Sequence, residues 1–222
     1  TQIGIPFWIA FILGIILTGI LGFIIERTFL RPMVGEPVFS VAVLTIGIDI
    51  LLRVVLDNWI GINPKYMGDP FPSFGNFGSL SIGGITIKYL EVTALIISLI
   101  LIFVLSVFFK RSKYGVAMRA TSLDQEAALA QGINVGRVFG LVWFIAGLLA
   151  AFAGFFITGG FNTLTNSSFI SALRALPAVV IGGLDSITGA VIGSLIIGLT
   201  QAYVGYYQFD IESAYNIRLG NG

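Results

Sequence analysis

Residues 7–25 read FWIAFILGIILTGILGFII, an uncharged run whose one hydroxyl belongs to Thr18, and Glu26-Arg27 ends it. As a helix rising about 1.5 Å per residue, a run of this length crosses the roughly 30 Å hydrocarbon layer of a bilayer. The whole chain has the same character. Of its 222 residues 56% are hydrophobic, 28 are glycine and only 10% are charged, against about 25% charged in soluble domains. So few charges cannot cover so much apolar surface in water, and a soluble globular fold is excluded.

Four further runs repeat the pattern outward from the first: residues 38–56, 91–109, 138–158 and 187–207. A shorter one, 169–181, is only about 20 Å as a helix before Gly182-Gly183-Leu184-Asp185-Ser186 interrupts it. It is expected to be either a thin span or a re-entrant half-helix, because irregular backbone at membrane depth persists only where protein or a watery cavity satisfies it. Between residues 57 and 90 lies a polar connection rich in Pro and Gly. Within it Leu80 and Ile82 alternate with serines, Gly83-Gly84 follows, and Ile85 and Ile87 alternate with Thr86 and Lys88, as in a tight β-hairpin. The fold class expected is all-α: one polytopic transmembrane helix bundle over residues 1–222, with one broken or re-entrant helix, a short cytoplasmic helix and a small external β-hairpin.

Basic residues orient the bundle. Segments 26–37 and 110–137 hold Arg27, Arg31, Lys110, Arg111, Lys113, Arg119 and Arg137, against Lys65 and Lys88 in segment 57–90. The first two segments are therefore expected to be cytoplasmic, and the hairpin external.

Much chemistry is ruled out. The chain has no Cys and no His, so thiolate nucleophiles, imidazole bases, disulfides and the common zinc sites are missing, and neither metal nor cofactor is expected. No glycine precedes a lysine, so the chain has no phosphate-binding P-loop of its own. A net charge of +1 gives no nucleic-acid footprint. The lipid bilayer is the first partner implied.

Four constellations remain. In segment 110–137, Ser122 and Gln125 have capping-box spacing, Asp124 and Glu126 place negative charge in a first helical turn, and Gly132 followed by Ile133 supplies a terminator. A helix over 123–131 is expected. It is too short to hold alone in water, so it docks either on a partner or on the bundle's own face. Asp49, Arg53 and Asp57 share one helical stripe, as an internal ion-pair ladder or as groups lining a solute path. Small residues recur every four positions at Ala146, Ala150, Gly154 and Thr158, and at Ala190, Ser194, Gly198 and Ala202, presenting grooves to neighbouring helices. The break at Gly182 and Gly183 is either a connector or a polar site for a small solute.

Glu126, Ala127 and Ala128, followed three residues later by Gly132, resemble the front half of the EAA loop of ABC-importer permeases, the segment that docks into the ATPase subunit. Residues 114–121 (YGVAMRAT), Gly132-Ile133-Asn134, Glu26-Arg27 with Arg31-Pro32, and Gly182-Gly183-Leu184 before Gly189-Ala190 resemble the LivH-type permeases of branched-chain amino-acid importers. The Ile-x-Leu-Pro that completes the general EAA signature does not follow Gly132. The same branch includes urea and short-amide importers.

The resemblance implies a permease subunit of the prokaryotic cytoplasmic (inner) membrane, not an enzyme, without catalytic residues. Its implied partners are ATP-binding cassette subunits, a second permease subunit that is homologous or identical, and a periplasmic or extracellular solute-binding protein. Arg119, Glu126, Ala127, Ala128 and Gly132 would form the ATPase-coupling contact. Asp49, Arg53, Gly182 and Gly183 are candidates for the translocation path. Such subunits carry further helices, so a complete one is expected to extend beyond residues 1–222. The competing expectation is a secondary transporter or channel for a small polar solute.

Overall fold

In a computed structural model of the chain, the structure describes residues 7–34, 36–61, 63, 65–66, 79–82, 85–161, 163–164, 173, 175–183 and 186–215. These residues are mostly helical, and five helices are long and apolar enough to cross a membrane. They fall into two compact units, Thr1–Asn166 and Ser167–Gly222.

In the first unit α1 covers Phe7–Ile25, the run that the apolar composition marks out. Glu26-Arg27 does not open a loop, as the charges suggest. The chain stays helical through a π-helical turn, Glu26–Leu30, and a 3-10 turn, Arg31–Met33. Helix α2 follows at Val38–Ile60. Strand β1 is Lys65–Tyr66. Strands β2, Ser79–Ile82, and β3, Ile85–Lys88, pair antiparallel with Ser79 opposite Lys88 and Ile82 opposite Ile85. The intervening Gly83-Gly84 lies outside the described residues.

Helix α3 spans Tyr89–Arg111, α4 Lys113–Leu123, α5 Gln125–Ala130 and α6 Val135–Phe161. Strand β4, Thr163–Leu164, pairs antiparallel with β1. It ties the connection after α2 to the far end of α6.

Helices α1 and α6 form the main packed pair, and they run antiparallel: Phe11 stacks against Phe152 and Phe155 at one end, while Arg31 reaches Gly136 at the other. Glycines set the distance between them. A Cβ on Gly22 would fall 2.5 Å from the Trp143 carbonyl oxygen, and one on Gly147 would fall 2.6 Å from that of Thr18. Lipid tails give apolar helices no reason to leave them for each other, so close backbone approach through small residues is what holds such a pair.

The packing face differs from the expected stripe. Ala146, Ala150 and Gly154 are exposed, and nothing lies within 4 Å of a Cβ on Gly154, although Thr158 at the end of the stripe is buried. The four-residue period is real, but α1 packs on the neighbouring face that carries Gly140 and Gly147.

The second unit holds α7, Ala175–Gly182, and α8, Ile187–Tyr215. They pack tightly as a hairpin. Gly183 ends α7 with φ +87°, and Ser186 Oγ caps α8 by accepting from the Gly189 N–H at 2.9 Å. Backbone contact at Gly182, Gly189 and Gly193 brings the two helices together, and of the expected stripe Ala190 joins this contact while Ser194, Gly198 and Ala202 are exposed. Of the expected 169–181 segment, residues 169–172 and 174 lie outside the described residues, as do 184–185 of the break.

Candidate functional site

The segment between α3 and α6 is built from three successive caps. Ser112 leaves helical geometry at φ −85°, ψ 150°, and its Oγ accepts from the Gly115 N–H at 2.8 Å, so one residue ends α3 and starts α4. The turn is tight enough to require glycine: a Cβ on Gly115 would lie 2.6 Å from the Phe108 carbonyl oxygen. Met118 and Thr121 face inward, while Arg119 is exposed.

Helix α4 stops at Asp124, which is extended at φ −156°, ψ 112°, and whose Oδ1 accepts from the Ala127 N–H at 3.0 Å. This corrects the capping-box reading. Ser122 lies inside α4, its Oγ donating to the Arg119 carbonyl, and the short helix is α5 over Gln125–Ala130 rather than 123–131. Serine and aspartate cap about equally well, and the choice falls to Asp124 because α4 absorbs Ser122.

Termination follows the expected chemistry. Gly132 takes φ +81°, its N–H donates to the Leu129 carbonyl at 2.9 Å, and the Ile133 N–H donates to that of Ala128 at 3.0 Å. These two bonds are the Schellman arrangement. Asn134 Oδ1 then accepts from the Arg137 N–H at 3.0 Å and opens α6.

Helix α5 stands out from the bundle with Gln125, Glu126, Ala127, Leu129 and Ala130 exposed. Ala128 alone in α5 is buried, so it seats the helix on the rest of the unit. Leu123, at the α4 end of the corner, is 89% exposed and Leu129 57%. Glu126 is thus flanked along the corner by two exposed leucines, which sequence inspection does not single out. Arg119 lies on α4, Glu126, Ala127 and Ala128 on α5, and Gly132 in the turn that ends it. Beneath this corner a cavity of about 280 Å³ is bounded by Gln125, by Glu26 and Met33 after α1, by Val41 of α2, and by Phe139 and Trp143 of α6.

The same end of the unit carries an ion pair that the sequence conceals. Glu26 is almost fully buried at 1% exposure. Arg31 donates to both its carboxylate oxygens, Nε to Oε1 at 3.2 Å and Nη2 to Oε2 at 3.1 Å, and Nη2 also donates to the Gly136 carbonyl at 2.7 Å. A spacing of five does not align on an α-helix. The π turn creates the alignment, since the Arg31 N–H bonds the Glu26 carbonyl. The contact fixes the start of α6, and with it the α5 corner, to the end of α1. It also places segment 26–37 and the 134–137 end of segment 110–137 together.

The other candidates lie elsewhere. Arg53 Nε donates to Asp49 Oδ2 at 2.8 Å along one face of α2. Gly182 and Gly183 belong to the second unit. Among the described residues no group of His, Cys, Asp and Glu is arranged to hold a metal. The geometry offers an exposed corner capped at both ends of α5.

A family model described as branched-chain amino acid transport system / permease component matches residues 1–219. The branched-chain amino acid permease protein BraD of Pseudomonas aeruginosa is 29% identical over 195 residues, covering 87% of this chain and 64% of that protein. LivH of Salmonella typhimurium is 30% identical over 203 residues, 89% and 64% respectively. The galactose/methyl galactoside import permease MglC of Haemophilus influenzae is 29% identical over 179 residues, 69% and 52%. The chain thus spans 64% of the length of the BraD and LivH proteins it matches. No solved structure matches it. With the helical bundle, its five span-length helices and a family match running nearly end to end, the chain is a multi-pass membrane protein that belongs to the branched-chain amino acid transport permease family.

Proposed function

We propose that residues 1–222 work as one permease domain of an ATP-driven importer in a prokaryotic cytoplasmic membrane, carrying branched-chain or similar amino acids. A solute-binding protein delivers the solute from outside, and a second permease subunit completes the central path. Hydrolysis takes place on separate ATP-binding cassette subunits, and this chain performs no catalysis. Closure of the ATPase pair displaces the α4–α5 corner, and the attached spans tilt to switch access.

The observation that carries this reading is α5 itself. A six-residue helix, capped at one end by Asp124 and at the other by Gly132 in a Schellman turn, projects Glu126 between two exposed leucines. A rod fixed at both ends passes displacement on instead of absorbing it. Its base borders the cavity between the ends of α1, α2 and α6, where movement has room to proceed.

In this reading Arg119, Glu126 and Ala127 touch the ATPase, with Ala128 and Gly132 holding the geometry. The end carrying Arg27, Arg31, Arg119 and Arg137 is cytoplasmic, in keeping with the positive-inside preference, and the β2–β3 pair lies outside. The Asp49–Arg53 pair and the Gly182-Gly183 break border the path. The BraD and LivH names support an amino acid as solute, while MglC, named for galactose, marks how widely solutes vary on related sequences.

Co-purification with the ATPase subunits, comparing wild type with Glu126→Arg, tests the proposal. Loss of the ATPase from a membrane domain that still folds supports it. An unchanged complex, with uptake unimpaired, removes α5 as the coupling element.

A further inference from the structure

A second cavity, of about 490 Å³, opens beside the end of α1 and the start of α6. Its lining is mixed: Arg27, Arg31, Asn134 and Arg137 share it with Phe23, Leu141 and Phe144. The arginines lie just past the apolar run of α1 and on the first turn of α6, whereas the apolar residues lie further along the spans. In helices that cross a bilayer, a polarity change of this kind falls between headgroups and hydrocarbon.

The charge is not balanced from within. Arg31 is taken by Glu26 and the Gly136 carbonyl, so that pair is close to neutral. Arg27 and Arg137 are exposed, and among the described residues no carboxylate pairs with either. Two free guanidinium groups at a headgroup level, above an apolar wall, match a phosphodiester carried on acyl chains. Guanidinium binds phosphate through paired N–H donors, and basic pockets between spans suit anionic headgroups. A free phosphate would make no use of Phe23, Leu141 and Phe144.

We propose that this cavity binds the headgroup of an anionic phospholipid, with its phosphate between Arg27 and Arg137 and its acyl chains along the α1–α6 groove. The bound lipid would bridge the two helices that the Glu26–Arg31–Gly136 contact already joins. This requires only that the helices cross a bilayer. It stands or falls independently of transport and of α5.

The test is native mass spectrometry of the complete subunit released from detergent, with phosphatidylglycerol and phosphatidylethanolamine of identical acyl chains as competing probes. Wild type is expected to retain phosphatidylglycerol preferentially. R27Q/R137Q is expected to lower that preference roughly twenty-five-fold, about fivefold for each arginine near a charged membrane surface. K110Q/R111Q, at another cavity, is expected to leave it unchanged. Should the double variant unfold on heating in detergent well before wild type, R27Q and R137Q singly, each lowering the preference, carry the same test. Equal retention by wild type and the arginine variants overturns the proposal. So does displacement of the lipid by millimolar inorganic phosphate, which would make this a small-anion site, or loss of ATPase binding with lipid retention intact, which would assign the arginines to a protein partner.

Discussion

Arg31 meets Glu26 through two hydrogen bonds, at 3.2 and 3.1 Å, that exist only because the five residues between and including Glu26 and Leu30 form a π turn. The carboxylate is buried, while the Arg31 side chain keeps 36% exposure. Removing the partner of a buried charge costs about 3–5 kcal/mol, and the partly exposed arginine places this case at the lower end. Arg31→Ala is therefore expected to destabilise the membrane domain by about 3 kcal/mol. Arg31→Lys is expected to recover only part, since one ammonium group cannot reproduce the forked contact with both carboxylate oxygens and the Gly136 carbonyl. Denaturation in detergent compares the three proteins, and equal midpoints would show that the pair holds nothing together.

Asp124 and Ser122 make a sharper comparison, because either residue type is a good cap but only one sits at the end of α5. Asp124→Ala removes the acceptor for the Ala127 N–H and is expected to cost about 1 kcal/mol, concentrated in a six-residue helix with little else to hold it. Ser122→Ala loses only a bond back to the Arg119 carbonyl within α4 and is expected to be near neutral. Hydrogen exchange over residues 125–130 reads the difference directly: faster exchange in the aspartate variant, unchanged exchange in the serine variant. The reverse order would return the cap to Ser122.

Gly132 carries the other end of the rod. At φ +81° a side chain is strained by about 1–2 kcal/mol, although nothing lies within 4 Å of the Cβ position. Gly132→Ala is expected to loosen the Schellman turn and, on the proposed coupling, to weaken ATPase binding, with the bundle still folded. Gly132→Asn is expected to lie between alanine and wild type, because asparagine tolerates the left-handed region better. If uptake with the ATPase partner ranks the three proteins otherwise, the turn does not set the coupling geometry.

What could be read in the sequence divides along physical lines. The α1 run is uncharged from residue 7 to 25, and its α-helical part ends at Ile25 where the charges begin, although the chain stays helical to Met33. Gly132 was legible because few residues other than glycine tolerate its backbone angles. The π turn was not legible: the spacing of Glu26 and Arg31 gains meaning only in an uncommon backbone geometry. Helix α4 escaped notice because its start depends on Gly115 packing under Phe108 and not on any apolar period. The β1–β4 pairing joins two-residue strands nearly a hundred positions apart, too short for local propensity to mark. For the small-residue stripes the period was visible but the partner was not, since spacing alone does not say which face of α6 meets α1.

That last distinction yields a test within one helix. A Cβ on Gly147 would fall 2.6 Å from the Thr18 carbonyl oxygen, a backbone atom that cannot swing aside, while a Cβ on Gly154 meets nothing within 4 Å. Overpacking costs about 1–3 kcal/mol even where side chains can adjust, so Gly147→Leu is expected to reach or exceed the upper end and separate α1 from α6. Gly154→Leu adds a leucine to an exposed apolar face and is expected to leave the stability of the isolated subunit within about 0.5 kcal/mol of wild type. Uptake supplies the second readout. If Gly154→Leu folds normally but transports poorly, the exposed stripe at Ala146, Ala150 and Gly154 meets another protein surface in the proposed importer. Full transport by that variant leaves the stripe facing lipid, and a stable, active Gly147→Leu protein would mean that the α1–α6 contact is not the close approach described.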